Sequence, residues 1–243
     1  MEFAYIVAGL AVGFVVGLTG IGGGALMTPI LIQFFGISTV VAVSTDLLYA
    51  AITKFGGSIT YARKKLVEYR IVACLLAGSV PASLLTLEFL KGLDQISDIE
   101  HLMNMTLGVS LVLTSFAVFF RGQIRNVVLK WKNHSAIGSL RRWRPVITVI
   151  MGAVLGCLVT LSSVGAGALG TAVLIVLYPH MSMKSVVGTD LLHAVVLTSV
   201  AGVGHYQIGN VDIELLIFLV IGSLPGVFIG SHLGARLSPK FMQ

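Results

Sequence analysis

The chain has 243 residues, of which 56% are hydrophobic and 11% charged, with a formal net charge of +6. A soluble domain carries about 25% charge, so too little polar surface exists here to cover a water-soluble globule, and lipid is the natural solvent. The basic excess would otherwise suggest a nucleic-acid partner, but its distribution along the chain, given below, has a different cause.

The N-terminus, Met1-Glu2-Phe3, lacks the basic region of a cleavable signal, so the first apolar run reads as a retained membrane segment. That run, 3–19, ends at Thr19-Gly20-Ile21-Gly22-Gly23-Gly24. Apolar segments follow at 25–35, 39–60, 70–90, 102–120, 145–161, 165–178, 184–204 and 213–235. About 20 residues of helix span the hydrocarbon core, so 25–35 and 165–178 are short, and whether they cross stays open. The expected fold is an all-α polytopic membrane protein of about nine segments. Its parts are a first repeat with a linking helix (1–120), a basic loop (121–144) and a second repeat (145–243).

Lysines and arginines gather in alternate loops. Arg63, Lys64, Lys65 and Arg70 form one group, and Arg121, Arg125, Lys130, Lys132, Arg141, Arg142 and Arg144 a second. Lys184, Arg236 and Lys240 bring these to 14 of the 16 Lys and Arg, with Lys54 inside a segment and Lys91 in an opposite-side loop, while the 91–101 and 205–214 connections carry Asp94, Asp98, Glu100, Asp212 and Glu214. The positive-inside rule therefore places the basic loops and C-terminus in the cytoplasm and the N-terminus outside, in the inner membrane of the cell. Basic charge sets topology here, and no nucleic-acid partner is expected.

The chain is internally duplicated. A shift of 144 superposes Thr45-Asp46-Leu47-Leu48 on Thr189-Asp190-Leu191-Leu192 and Gly78-Ser79-Val80-Pro81 on Gly222-Ser223-Leu224-Pro225. A shift of 143 places Gly22-Gly23-Gly24-Ala25-Leu26 on Gly165-Ala166-Gly167-Ala168-Leu169 and Thr28 on Thr171. The number of crossings between equivalent points is odd, so the halves face opposite ways. Broken helices in inverted repeats mark secondary transporters; channels also carry such repeats.

Two constellations carry the candidate chemistry. The first is the pair of glycine-rich breaks, 19–24 and Ser162-Ser163-Val164-Gly165-Ala166-Gly167. Consecutive glycines interrupt a helix, and broken backbone at membrane depth must be buried or line a cavity. Helices restarting at Ala25 and Ala168 would point free N–H groups at an anion, beside the hydroxyls of Thr19, Ser162 and Ser163. The alternative is tight helix crossing at small residues. The second is Ser44-Thr45-Asp46 with Gly188-Thr189-Asp190. These read as helix caps or as carboxylates that couple transport to protons. His193 follows Asp190 by three residues, Tyr49 occupies the equivalent place after Asp46, and Lys54 lies two turns on, opposite Thr198. Lys54 pairs with Asp46 or binds an anion; His193 is a core histidine or a ligand. His205 reads as interfacial. The substrate-binding candidates are thus Thr19, Gly22, Gly23, Gly24, Thr45, Lys54, Ser162, Ser163, Gly165, Thr189 and His193, and the proton-coupling candidates Asp46 and Asp190.

No GxSxG frames a serine and no GxxxxGK[ST] loop is present, so neither hydrolysis nor ATP drive is indicated. Cys74 and Cys157 lie in separate apolar runs without metal spacing, and no cofactor or metal is expected.

The stretches GLTGIGGGALMTP (17–29), STDLLYAAITK (44–54), LSSVGAGALGT (161–171), VGTDLLHAV (187–195), GHYQIGNVD (204–212) and GSLPGVFIGS (222–231) together resemble the TauE/SafE family of sulfite and organosulfonate exporters. The resemblance implies a secondary transporter, an exporter, of small sulfur-containing anions such as sulfite or sulfoacetate. The alternatives are an anion channel and, less favoured, an intramembrane enzyme. The implied partners are a small anionic substrate and membrane lipid, with a homo-oligomer left open.

Overall fold

The computed structural model describes residues 2–19, 24–93, 95–123 and 136–236. Among these the chain forms nine helices of ten residues or more: α1 (Glu2–Thr19), α2 (Gly24–Phe35), α3 (Thr39–Arg63), α4 (Tyr69–Lys91), α5 (Ile96–Phe119), α6 (Ala136–Ser162), α7 (Ala168–Leu177), α8 (Met183–Ile208) and α9 (Ile213–Arg236). No strand occurs among the described residues.

By length and composition, five helices can cross a membrane: α4, α5, Trp143–Ser162 of α6, α8 and Ile213–Gly230 of α9. The apolar stretches of α1, α2 and α7 are shorter. Helix α3 has the length, but its sequence is diluted by Thr39, Ser44, Thr45, Asp46, Lys54 and Ser58. All six are buried, while Ile52, Phe55 and Ile59 on the same helix are exposed. Polar side chains turn inward and apolar ones outward, the arrangement a lipid solvent favours. Phe3, Phe34, Leu85, Phe116, Phe119 and Phe228 are likewise exposed.

Serines start the two central helices. The Ser38 hydroxyl accepts from Val41 N at the head of α3 (3.5 Å), and Ser182 from Ser185 N at the head of α8 (3.1 Å). A cap of this kind satisfies a helix-end N–H that no intrahelical carbonyl can reach. Thr45-Asp46 and Thr189-Asp190 therefore lie about two turns inside their helices, and the capping interpretation of these pairs does not hold.

Helix α3 packs along α8 at the centre, with α2 against α3 and α7 against α8. Two helix pairs flank them, α1 with α9 and α4 with α6. Both pairs are in backbone contact: a Cβ on Gly9 or Gly13 would overlap the backbone of Leu219 or Ser223, and one on Gly152 or Gly156 the backbone of Leu75 or Ser79. Small residues let membrane helices approach this closely. The two sets of contacts are related by the shifts seen in the sequence, 143 for Gly9/Gly152 and Gly13/Gly156, and 144 for Leu75/Leu219 and Ser79/Ser223. The apolar cores repeat in the same way. Met27, Leu31, Ala42 and Leu219 pack together in one, and Leu174, Val186 and Leu75 in the other.

Candidate functional site

The polar interior is built where α3 and α8 meet α2, α7 and the break that precedes α7. Asp46 on α3 and Asp190 on α8 are both buried, at 0% and 3% exposure. Each is held by a threonine from the adjacent short helix. Thr28 on α2 donates to Asp46 Oδ2 (2.6 Å), and Thr171 on α7 donates to Asp190 Oδ2 (3.0 Å). In both aspartates the other oxygen, Oδ1, is buried without a hydrogen-bond partner. The Asp190 carboxylate lies over Gly170, where a Cβ would collide with it.

The break between α6 and α7 is described from Ser163 to Gly167. Ser163 (φ 56°), Gly165 (φ 111°) and Gly167 (φ 140°) all take positive φ. Glycine adopts this conformation freely and serine at a cost. Ser162 ties the break together. Its hydroxyl donates to Leu158 O (2.6 Å) and accepts from Val164 N (3.2 Å), with Ser110 Oγ 3.2 Å away. The Ser163 hydroxyl is buried without a hydrogen-bond partner, and it borders Asp46. Helix α7 then begins at Ala168 with no side-chain cap.

Lys54 enters from α3 and is 3% exposed. Its Nζ donates to the carbonyl of Ala166, inside the break (2.5 Å). Its charge acts on Asp190 and on Asp46, yet it forms no ion pair with either. The ion pair found among the described residues is Lys91–Glu88, at the end of α4. Of the two alternatives for Lys54, direct pairing with Asp46 is not what is found; its bond is to Ala166 O in the break before α7. His193, one turn beyond Asp190, meets Ser79 Oγ at Nε2 (3.0 Å), and its Nδ1 is buried without a partner.

Asp46, Lys54, Ser163, Gly165, Asp190 and His193 are therefore gathered in one interior. Thr45 and Thr189 lie elsewhere. Their hydroxyls accept from Asp212 N (3.1 Å) and Glu68 N (3.0 Å), fixing the starts of α9 and α4. Gly22 and Gly23 lie outside the described residues, as does the side chain of Thr19; Gly24 is the first residue of α2. Among the described residues no three His, Cys, Asp or Glu side chains converge to hold a metal, and Cys74 and Cys157 are free thiols.

One expectation is corrected. His205 is not interfacial but fully buried. Its Nε2 donates to Thr160 O (3.0 Å), and its Nδ1 meets Ser44 Oγ (3.0 Å). A histidine near a helix end can be drawn inward when both ring nitrogens find partners there. The equivalent pair in the other half is Tyr61 and Gly188, and a Cβ on Gly188 would strike the Tyr61 ring. Ser44 and Gly188 differ because one faces an imidazole to bond and the other a phenol to accommodate.

Thr28, Thr171, Ser79, Ser44 and His205 were not among the candidates. The match of Thr28 with Thr171 was the available signal, but their bonds to the aspartates depend on how α2 sits on α3 and α7 on α8.

The model of the sulfite exporter TauE/SafE family matches residues 5–243. The chain is 37% identical to "Probable membrane transporter protein YjnA" of Bacillus subtilis (strain 168), over 100% of this chain and 94% of that protein. It is 23% identical to "Probable membrane transporter protein YunE" (97% and 88%) and 26% identical to "Probable membrane transporter protein YdhB" (94% and 88%) of the same organism. No solved structure matches the chain.

Proposed function

The chain belongs to the TauE/SafE family of sulfite exporters, a multi-pass membrane transporter, and on that premise we propose that it exports small sulfur-containing anions, sulfite or organosulfonates, by alternating access. The observation that carries this reading is the pair of equivalent buried clusters, Thr28–Asp46 and Thr171–Asp190, with Lys54 reaching from one to the break beside the other. A single interior site shared by two half-repeats can be opened to either side in turn.

In this reading residues 1–120 and 145–243 are inverted halves, joined by α5 and a cytoplasmic basic loop at 121–144, with the N-terminus outside. The contacts that recur at shifts of 143 and 144 support the duplication. Ser163, the backbone of 163–168 and the ammonium of Lys54 face the anion, with His193 Nδ1 as a further ligand. Ser162, Thr45 and Thr189, whose hydroxyls are engaged, hold the break and the helix starts rather than the substrate.

Charge balance gives the coupling. With both aspartates ionised, Asp46, Asp190 and Lys54 leave the interior net negative and repel an anion; with both protonated it is net positive. Uncompensated charge at membrane depth costs about 2.5–3.5 kcal/mol on insertion scales. Anion entry is therefore accompanied by proton uptake on Asp46 or Asp190.

The test is equilibrium titration of the purified protein with sulfite, sulfoacetate and thiosulfate. Lys54→Ala and His193→Ala should each weaken binding by about tenfold or more, the scale of losing a hydrogen bond to a charged group. Unchanged binding in both variants would refute the charge assignment. Transport indifferent to a pH gradient would refute the proton coupling separately.

A further inference from the structure

The two aspartates share a feature that burial alone does not require. In each, one carboxylate oxygen, labelled Oδ2, is occupied by a threonine hydroxyl from the neighbouring half-helix. In each, Oδ1 is buried and unpartnered. A threonine hydroxyl has one proton to donate, and here it is spent on the carboxylate. Unpartnered polar atoms inside a protein are uncommon and call for an explanation, and here two occur at equivalent positions.

The groups around each carboxylate limit what Oδ1 can meet. Asp46 faces Thr28 of α2, Tyr49 and Lys54 of its own helix, and Ser163 of the break. Asp190 faces Thr171 and Gly170 of α7, Lys54 of α3 and, at longer range, Arg121 after α5. Lys54 spends one of its three N–H donors on Ala166 O and forms no hydrogen bond or ion pair with either aspartate. Asp190 Oδ1 lies against Gly170, the Ser163 hydroxyl beside Asp46 is itself unpartnered, and neither Oδ1 accepts a hydrogen bond among the described residues.

We propose that Thr28 and Thr171 are positioning residues that direct the transported proton to Oδ1 of Asp46 and Asp190, making each neutral acid an O–H donor aimed at the anion. The step is a proton transfer. A proton from the aqueous side is added to Oδ1, the threonine keeps its own proton on Oδ2, and the reverse transfer releases the proton on the opposite side. A protonated carboxyl has one O–H to donate. If that proton sat on Oδ2 it would confront the threonine hydroxyl, which would have to turn away. With Oδ2 taken, the donor lies on the atom that has no other partner. An anion is thereby bonded only by the protonated form, so anion and proton are bound together. The inference rests on the proton-coupled reading above and adds to it the atom that carries the proton and the residues that select it.

The test needs no transported substrate, so it is independent of which anion the protein carries. A hydrophobic carbodiimide reacts with a protonated, buried carboxyl and not with the ionised form. Protein in lipid bilayers is labelled over a range of pH, and the peptides containing Asp46 and Asp190 are quantified by mass. Thr28→Val removes the hydrogen bond that stabilises ionised Asp46. At a pH where little of the wild type reacts, labelling of the Asp46 peptide should rise about tenfold, the effect of one charge-assisted hydrogen bond. Thr171→Val should do the same for Asp190. Thr28→Ser and Thr171→Ser keep the hydroxyl and should label as the wild type does. Equal labelling in the valine variants and the wild type would overturn the proposal. A rise in the serine variants as large as in the valine variants would also overturn it, because lost packing would then be the cause. Failure of sulfite, sulfoacetate and thiosulfate to be transported would not alter these rates.

Discussion

Lys54 is a buried residue at which the two halves differ in charge, since its sequence equivalent is Thr198, whose hydroxyl bonds back to Ala194 O (2.8 Å) on its own helix. Lys54 instead donates to Ala166 O across the molecule, so one cation serves both clusters. Gly170 is a second sensitive position. Its missing side chain is where the Asp190 carboxylate lies. Gly170→Ala should therefore displace Asp190 from Thr171 and lower transport by about tenfold or more, while the protein still elutes as a folded species. Normal transport by Gly170→Ala would mean that the Asp190 geometry is not needed. His205 carries a structural rather than a ligand role. His205→Ala leaves Thr160 O and Ser44 without their partner and should cost about 1–3 kcal/mol, read as a lowered midpoint of thermal unfolding in detergent. At this scale the sequence displayed Asp46, Asp190, Lys54, Ser163 and His193 as candidates because each is polar in an apolar run. It did not display Thr28, Thr171 or the burial of His205, because a threonine or a histidine near a helix end is unremarkable until its neighbours in space are known.

Elements were more legible than residues. The apolar runs ended at glycines, charges and serines, and the nine helices stop at or near those places. The break at 163–167 was legible from its glycines and small residues, and the positive φ at Gly165 and Gly167 is a conformation that glycine adopts freely. What the runs could not reveal was the pairing of α1 with α9 and of α4 with α6, helices far apart in sequence. Their glycines are the cause of that pairing, since the backbones touch at Gly9, Gly13, Gly152 and Gly156. Gly152→Leu or Gly13→Leu should force these pairs apart and lower stability by about 1–3 kcal/mol or more. Thermal unfolding measured by circular dichroism would register this, and an unchanged midpoint would contradict the close packing. The composition of α3 was also misleading on its own terms. Its polar residues make it less apolar than its neighbours, although it lies at the centre and buries those residues inside.

For the whole molecule, the polar interior and the exposed apolar exterior make lipid the solvent and the centre the place where chemistry occurs. Family membership makes the chain a membrane transporter. The repeat of contacts between the halves, the two threonine–aspartate pairs and the buried Lys54 near both are the features on which the proposed carrier site rests. The most direct measurement is counterflow of labelled sulfite, sulfoacetate and thiosulfate into proteoliposomes loaded with the unlabelled anion. Saturable uptake of label, competed by one of these anions, is the predicted result. Folded protein that exchanges none of them, or that passes them without saturation, would contradict a sulfur-anion carrier.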